Sequence, residues 1–253
     1  DLENQGPGQT VILNADDPAL SKVIPPTGAT VFRYGLKKRE GIDAFIEKGE
    51  IVSAVNGKNR FNLNAFSLAG SHNLENLLAI VLAGRALGLA PESIQKTMDE
   101  FKGLPNRLEY TNQVSGIRFY NDSKATNVDA AIRAVKSFDD PLILIAGGRH
   151  KGSDYHPLVQ SCRGNVKGAV FMGEAASLLA EAFTERVRAK NFSPLPFSLA
   201  ENMKDAVSRA YALAKSGDIV LLAPACSSFD MFRNYDHRGR VFKAAVEDLL
   251  NGR

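Results

Sequence analysis

Residues 121–127 read Asn-Asp-Ser-Lys-Ala-Thr-Asn and gather hydrogen-bonding and charged side chains between two apolar runs. Residues 117–120 alternate like a half-buried strand, and residues 128–135 repeat their apolar positions at helical spacing. The polar set therefore stands at a strand's carboxyl end and a helix's amino end, where unpaired backbone N–H groups and the helix dipole favour a phosphate or carboxylate. Asp122 and Ser123 could serve only as helix caps, but capping does not call for Lys124 beside Thr126.

Three further segments carry candidate chemistry. Gly147-Gly148-Arg149-His150-Lys151-Gly152 follows an aliphatic run, so it reads either as an anion-receiving turn or as a tight turn with solvated basic residues. Pro224-Ala225-Cys226-Ser227-Ser228-Phe229-Asp230 places hydroxyls beside the aromatics Phe232 and Tyr235, which suits a small carboxylate ligand; Ser228 could equally be a cap or turn residue. A serine nucleophile is disfavoured because no Gly-x-Ser-x-Gly elbow occurs. Asn73 and Asn76 lie three apart after Gly70-Ser71-His72 and share one helix face, as contacts to a base or ribose would require. Arg107 follows the helix-breaking Gly103-Leu104-Pro105, where it is either a surface arginine or a group reaching across a domain junction. No Walker-type Gly-x-x-x-x-Gly-Lys-Ser/Thr loop is present.

The elements that must hold these residues change in texture along the chain. Strands are predicted over residues 11–13, 30–34, 51–55 and 60–66, with Asn56-Gly57 as a hairpin turn, followed by helices over 72–87 and 91–101. After residue 105, strands at 117–120, 142–146, 168–171 and 219–222 alternate with helices at 128–136, 155–162, 175–183, 202–216 and 240–250. That alternation predicts a doubly wound α/β domain with a parallel sheet, and ligands of such sheets gather beyond the strands' carboxyl ends. The loops at 122–127, 147–151, 173–174 and 223–230 should therefore face one crevice. The expected division is residues 1–104 and 105–253.

At 253 residues and 44% apolar, the chain can bury a core in each of two domains. A net charge of +3 without a basic block argues against nucleic acid as partner, and no apolar run is long enough to span a bilayer. Cys162 and Cys226 lack metal-like spacing and read as reduced, buried residues of a cytoplasmic protein. Asp1 lacks an initiator methionine and opens a polar, Gly-rich lead.

Taken in order, Leu-Asn-Ala-Asp-Asp at 13–17, Gly-Ser-His-Asn-Leu-Glu-Asn at 70–76, Gly-Leu-Pro-Asn-Arg at 103–107 and the segments at 121–127, 147–152 and 224–230 resemble the Mur ligases, in their D-glutamate-adding branch. The resemblance implies ATP-dependent, ADP-forming addition of D-glutamate to UDP-N-acetylmuramoyl-L-alanine in peptidoglycan synthesis. It implies the rear part of the central ATPase domain, a mixed sheet with helices, followed by a Rossmann-like amino-acid-binding domain. By motif position, Asn73, Asn76, Arg107 and Asp122 would contact ATP, with Lys124, Asp122 and Arg107 acting at the reacting phosphate. Thr126, Lys151, Ser228, Phe229 and Tyr235 would form the D-glutamate pocket. Arg149 departs from the family pattern, which is often acidic there. Mg2+ is implied as well, with its main ligands, the Gly-rich ATP loop and the UDP-binding domain lying ahead of what corresponds to Asp1. A monomeric carboxy-terminal fragment, inactive alone, is the expected entity. Another Mur-type ligase with a different amino acid, or a non-catalytic binding module, are the alternatives.

Overall fold

In the computed structural model, residues 6–25, 28–66, 70–162, 164–190 and 195–252 are described. Residues 1–5 of the polar lead lie outside them. The chain divides into two compact units, Asp1–Lys102 and Gly103–Arg253.

The first unit holds a mixed sheet built from β1 (Thr10–Asn14), β2 (Thr30–Tyr34), β3 (Ala44–Glu47), β4 (Glu50–Ser53) and β5 (Asn59–Asn62), adjacent in that order. β1 to β3 run parallel, and β3 to β5 pair antiparallel. Both hairpins turn on consecutive left-handed residues, Lys48 (φ 54°) with Gly49 (φ 78°) and Asn56 (φ 51°) with Gly57 (φ 93°), a twist that matches the flanking strands. Helices α1 (Ser71–Ala86) and α2 (Pro91–Glu100) turn Leu78, Val81, Leu82, Ile94 and Met98 onto Ile51 and Phe61 of the sheet. β5 stops at Asn62 rather than running to Phe66, because Gln95 of α2 occupies its edge. The Asn62 N–H donates to Gln95 Oε1 (2.8 Å) and Gln95 Nε2 donates to Asn62 O (3.1 Å).

The second unit carries β6 (Glu109–Val114), β7 (Ile117–Asn121), β8 (Leu142–Gly147), β9 (Val166–Met172), β10 (Phe197–Ala200) and β11 (Ile219–Leu222) in the order β10-β9-β8-β11-β7-β6. Every neighbouring pair is parallel except β6–β7, so the expected parallel sheet gains an antiparallel edge. β8 and β11 are buried along their whole length, as central strands covered on both faces must be. On one face, α6 (Met203–Leu213) and α7 (Tyr235–Leu250) pack Val207, Ala210, Phe242 and Val246 against Phe119, Ile145 and Val220. The opposite face is covered by α3 (Val128–Val135), α4 (His156–Ser161) and α5 (Ala176–Lys190); there Phe171 of β9 meets Phe183 edge-on at 4.9 Å. No helix among the described residues is long and apolar enough to cross a membrane.

α7 begins at Tyr235, a full turn before the expected Arg240. Asn234 caps it by accepting the His237 N–H at 2.8 Å, and Asp236 sits in the first turn where the helix dipole favours an acid. Gly239 does not break the helix, because its missing side chain is what admits Asn106: a Cβ there would lie 1.8 Å from Asn106 Oδ1 and 2.9 Å from Asn121 Nδ2. Substituting Gly239→Ala should therefore destabilise the second unit by about 2–4 kcal/mol, against the small gain in helix propensity that alanine otherwise brings. Urea denaturation followed by circular dichroism measures this; unchanged stability would mean that Asn106 can vacate its position at no cost.

Candidate functional site

β7, β8, β9 and β11 are parallel, so the segments leaving their carboxyl ends emerge on one edge of the sheet. Backbone hydrogen bonds knit those segments together. The Asp122 N–H donates to Leu222 O (2.8 Å), Gly147 N–H to Pro224 O (2.8 Å), Gly148 N–H to Met172 O (3.1 Å), Arg149 N–H to Ser227 O (2.9 Å) and Ala225 N–H to Ala125 O (2.9 Å). Arg149 and Ser227 form an isolated antiparallel bridge. The four loops expected to share a crevice do meet.

Their glycines serve a different end from the expected anion cradle. A Cβ at Gly147 would lie 2.0 Å from Met172 O, one at Gly148 2.3 Å from Ser227 O, and one at Gly173 2.3 Å from Asp230 Oδ2. All three have positive φ, so they let neighbouring strand ends close on each other. The N–H groups of residues 147–149 are already engaged, as are those of residues 122–126, whose acceptors are Leu222 O, Asn121 Oδ1, Asn106 O, Asp122 O and Lys124 O. The α3 cap is Asn127, which accepts the Ala130 N–H at 2.8 Å, and not Asp122 or Ser123. The N–H groups of these two segments are therefore spent on the loops themselves, and the charged side chains of the same edge remain for an anion.

Those side chains are cationic. Lys124 holds its ammonium 3.9 Å above the Tyr235 ring, Lys151 and Arg149 are exposed, and Arg107 is exposed one residue from Leu108, whose N–H donates to Asp122 Oδ1 (3.3 Å). Thr126 is half-buried in the loop of Lys124. Phe229 is exposed and Tyr235 borders exposure, so aromatic surface stands at the same edge. Ser228 is buried, and its carbonyl accepts the Phe232 N–H (2.9 Å), so it shapes a turn as well. In the same segment Ser227 Oγ and Asp230 Oδ1 are buried without a hydrogen-bond partner, whereas Asp230 Oδ2 accepts the Glu174 N–H (3.0 Å). Asn73 and Asn76 belong to the first unit, on the opening turns of α1, half-buried and exposed respectively.

Burial pushes Asp122 up to about 6, against the lowering influence of the Leu108 N–H and the Arg107 charge. Among the described residues, no group of three or more His, Cys, Asp or Glu side chains is arranged to hold a metal ion. Asp122 is not joined by such a group, so the described residues do not assemble a Mg2+ site on their own.

The sequence motifs omitted the residue that joins these loops. Arg238, 1% exposed, reaches from α7 and donates through Nη2 to Ser123 O (2.8 Å), through Nε to Ser123 Oγ (3.0 Å) and through Nη1 to Cys226 O (3.1 Å). Ser123 Oγ in turn donates to Tyr235 O (2.7 Å). Beside it, Asn121 Nδ2 donates to Asn106 Oδ1 (3.0 Å) and Glu109 Oε2 (2.9 Å), while Lys243 Nζ donates to Glu109 Oε1 (2.8 Å). The Asn-Arg pair after Leu104-Pro105 drew attention to Arg107; the neighbour Asn106, buried at φ 64°, is the one that supports the site.

Residues 106–226 match the model of the Mur ligase glutamate ligase domain. The chain is 39% identical over 251 residues to a UDP-N-acetylmuramoylalanine–D-glutamate ligase of Pelotomaculum thermopropionicum, covering 98% of this chain and 54% of that protein. It thus spans about half the length of such relatives. Among solved structures, MurF from Acinetobacter baumannii superposes with a TM-score of 0.64 at 17% identity, over 96% of this chain and 51% of that one. MurF from Thermotoga maritima, solved in complex with ADP, gives 0.62 at 16% identity over 95% and 54%. These two likenesses concern the fold.

Two outcomes follow from the geometry. A carboxyl raised in the folded protein binds its proton more tightly there, so Asp122 favours folding below about pH 4 and that contribution is lost as pH rises toward 6. Asp122→Asn should abolish this segment of the stability–pH curve and stabilise the chain by about 2 kcal/mol at pH 7; equal pH profiles for the two proteins would refute the assignment. Arg238→Met should cost about 3 kcal/mol, since it strands the buried Ser123 and Cys226 carbonyls. It should also shift the amide resonances of residues 122–126 and 225–228 while leaving those of β10 in place; a uniform shift, or none, would count against a local staple.

Proposed function

We propose that the chain belongs to the Mur ligase family and is the rear part of the central ATP-binding domain (residues 1–104) joined to the amino-acid-binding domain (residues 105–253) of an ADP-forming D-glutamate ligase. The reaction proposed for the full-length enzyme joins the amine of D-glutamate to the carboxylate of UDP-N-acetylmuramoyl-L-alanine. ATP phosphorylates that carboxylate and releases ADP; the amine then attacks the acyl phosphate, loses a proton, and phosphate departs as the amide forms.

The observation that carries this reading is the knot of four loops at the sheet's carboxyl edge, from which Lys124, Lys151, Arg107 and Tyr235 present cationic and aromatic side chains. Several anions must approach one another in such a reaction, and fixed cationic side chains are the means to offset their repulsion. In this reading Arg107 and Lys124 face the transferred phosphate, and Asp122, raised to about 6 by burial, hydrogen-bonds the ribose. Lys151 pairs with a carboxylate of D-glutamate. Thr126, Ser228 and the rings of Phe229 and Tyr235 wall the pocket. The unpartnered oxygens of Ser227 and Asp230 suit a ligand that carries an ammonium. By motif position, Asn73 and Asn76 are assigned to the nucleotide. Mg2+, which would screen the phosphates when bound, takes its ligands from elsewhere in the enzyme. A monomeric cytoplasmic protein, acting on small molecules and on neither nucleic acid nor membrane, completes the proposal.

The test is a titration of the 253-residue chain with D-glutamate, L-lysine and L-alanine, followed by amide chemical shifts. D-glutamate should move residues 122–127, 149–152 and 227–235, L-lysine and L-alanine should not, and Lys151→Ala should weaken D-glutamate at least about tenfold, the loss of one charge-assisted contact. Phosphate release with ATP in the same samples should stay at background, because this part binds without ligating. Preference for L-lysine would transfer the chain to another branch of the family.

A further inference from the structure

We propose that Tyr155 is a positioning residue that sets the span between Lys151 and Ser228, two groups assigned above to the amino-acid pocket; the proposal rests on that assignment.

The hydrogen-bonded path along the β8 loop ends just before Lys151. Residues 147–149 are tied by their N–H groups to Pro224, Met172 and Ser227, and the next residue, His150, is tied by its side chain instead. His150 Nδ1 lies 2.9 Å from the Tyr155 hydroxyl, and the same hydroxyl lies 3.1 Å from Cys226 Sγ. Residues 151–154 thus form a short loop clipped at its base by His150 and Tyr155, turned by Gly152 at φ 75°. Lys151 is its first residue. Cys226 stands two residues before Ser228 in the β11 loop, so one hydroxyl couples the segment bearing Lys151 to the segment bearing Ser228 and Phe229.

The clip is a buried one. Tyr155 is 4% exposed and Cys226 3%, so water cannot replace either partner without opening the loop. Burial first, and then the contact with Cys226, pushes the Tyr155 hydroxyl above its ordinary range, and burial raises the Cys226 thiol; both keep their protons and both can donate. With one proton each, the chain can run thiol to hydroxyl to imidazole, or imidazole to hydroxyl to sulfur, and in either sense no member is left unpaired. The aliphatic stem of an exposed lysine is flexible, so where its ammonium can reach depends on how firmly its Cα is held. A fixed Lys151-to-Ser228 span selects the length of a dicarboxylic amino acid. Loosening it should relax the choice between D-glutamate and D-aspartate, which is one methylene shorter.

The experiment compares Tyr155→Phe, Cys226→Ala and Cys226→Ser in this chain. Tyr155→Phe keeps the ring beside His150 and deletes the hydroxyl; Cys226→Ser keeps a hydrogen-bonding group that Cys226→Ala removes. Hydrogen exchange at residues 151–154, which requires no ligand, should accelerate about tenfold in Tyr155→Phe and Cys226→Ala relative to β8, and stay near wild type in Cys226→Ser. In titrations, the first two variants should lose about tenfold in D-glutamate affinity with the D-glutamate to D-aspartate ratio falling toward one, while Cys226→Ser retains both. Unchanged exchange in Tyr155→Phe and Cys226→Ala overturns the clip. Altered exchange with unchanged affinity and ratio overturns the positioning role. Should Tyr155→Phe fail to fold, the Ala and Ser variants at Cys226 decide by the same readouts. A wild-type chain that binds no D-glutamate refutes the functional assignment, a failure separate from the exchange result.

Discussion

A guanidinium buried without a carboxylate partner organises the second unit. Arg238 binds the Ser123 and Cys226 carbonyls and the Ser123 hydroxyl, so the α7 helix, the β7 loop and the β11 loop are fixed to one side chain. Desolvation lowers its pKa to about 10, which still leaves it charged at neutral pH. Taking such a charge out of water is expensive, and carbonyl dipoles offset the cost only when all point inward together. The loops are therefore ordered as a set: losing one partner weakens the case for the others. The charge also contributes a positive potential at the loop-bearing edge of the sheet, where the assigned ligands are anions.

Around this staple, close backbone approach takes precedence over backbone recognition. Gly147, Gly148 and Gly173 are required because carbonyls and a carboxylate oxygen lie 2.0–2.3 Å from where their side chains would begin. The Gly147 and Gly148 N–H groups hydrogen-bond neighbouring segments, and the proposed recognition rests on lysines, arginines and aromatic rings on the surface of the knot. Lys124 illustrates the arrangement: its charge rests on the Tyr235 face, a contact worth about 0.5–2 kcal/mol depending on desolvation. That is enough to bias where the ammonium waits and too little to prevent it from turning to a phosphate.

In the second unit the central strands were legible in the sequence, and the edges were not. β8 and β11 are continuous aliphatic runs because helices cover them on both faces, whereas at the sheet's margins β6 is largely polar and β10 is a four-residue strand with no fully buried position. In the first unit the central β3 escaped notice, because its Ala-Phe-Ile-Glu sequence at Ala44–Glu47 has no apolar–polar alternation to mark it. The loops' convergence followed from the parallel order of the strands alone. Arg238 and Asn106 were invisible for a different reason: both look like polar surface residues in a linear reading, and their burial is created by contacts 115 and 130 positions away. The apparent helix breaker Gly239 was the available sign that something packs closely against α7.

Asp122 shows why position, rather than residue type, decides a role here. An aspartate between cations would ordinarily stay ionised, yet desolvation outweighs both the Leu108 N–H and the Arg107 charge. A carboxyl near its midpoint around pH 6 can donate a hydrogen bond as well as accept one, which a permanently ionised group cannot. Beside a sugar hydroxyl that versatility is useful; beside a metal ion it would be a liability. The same burial that raises this carboxyl weakens its negative charge near pH 6, and in the proposed assignment the lysines and Arg107 are the groups that meet the anions.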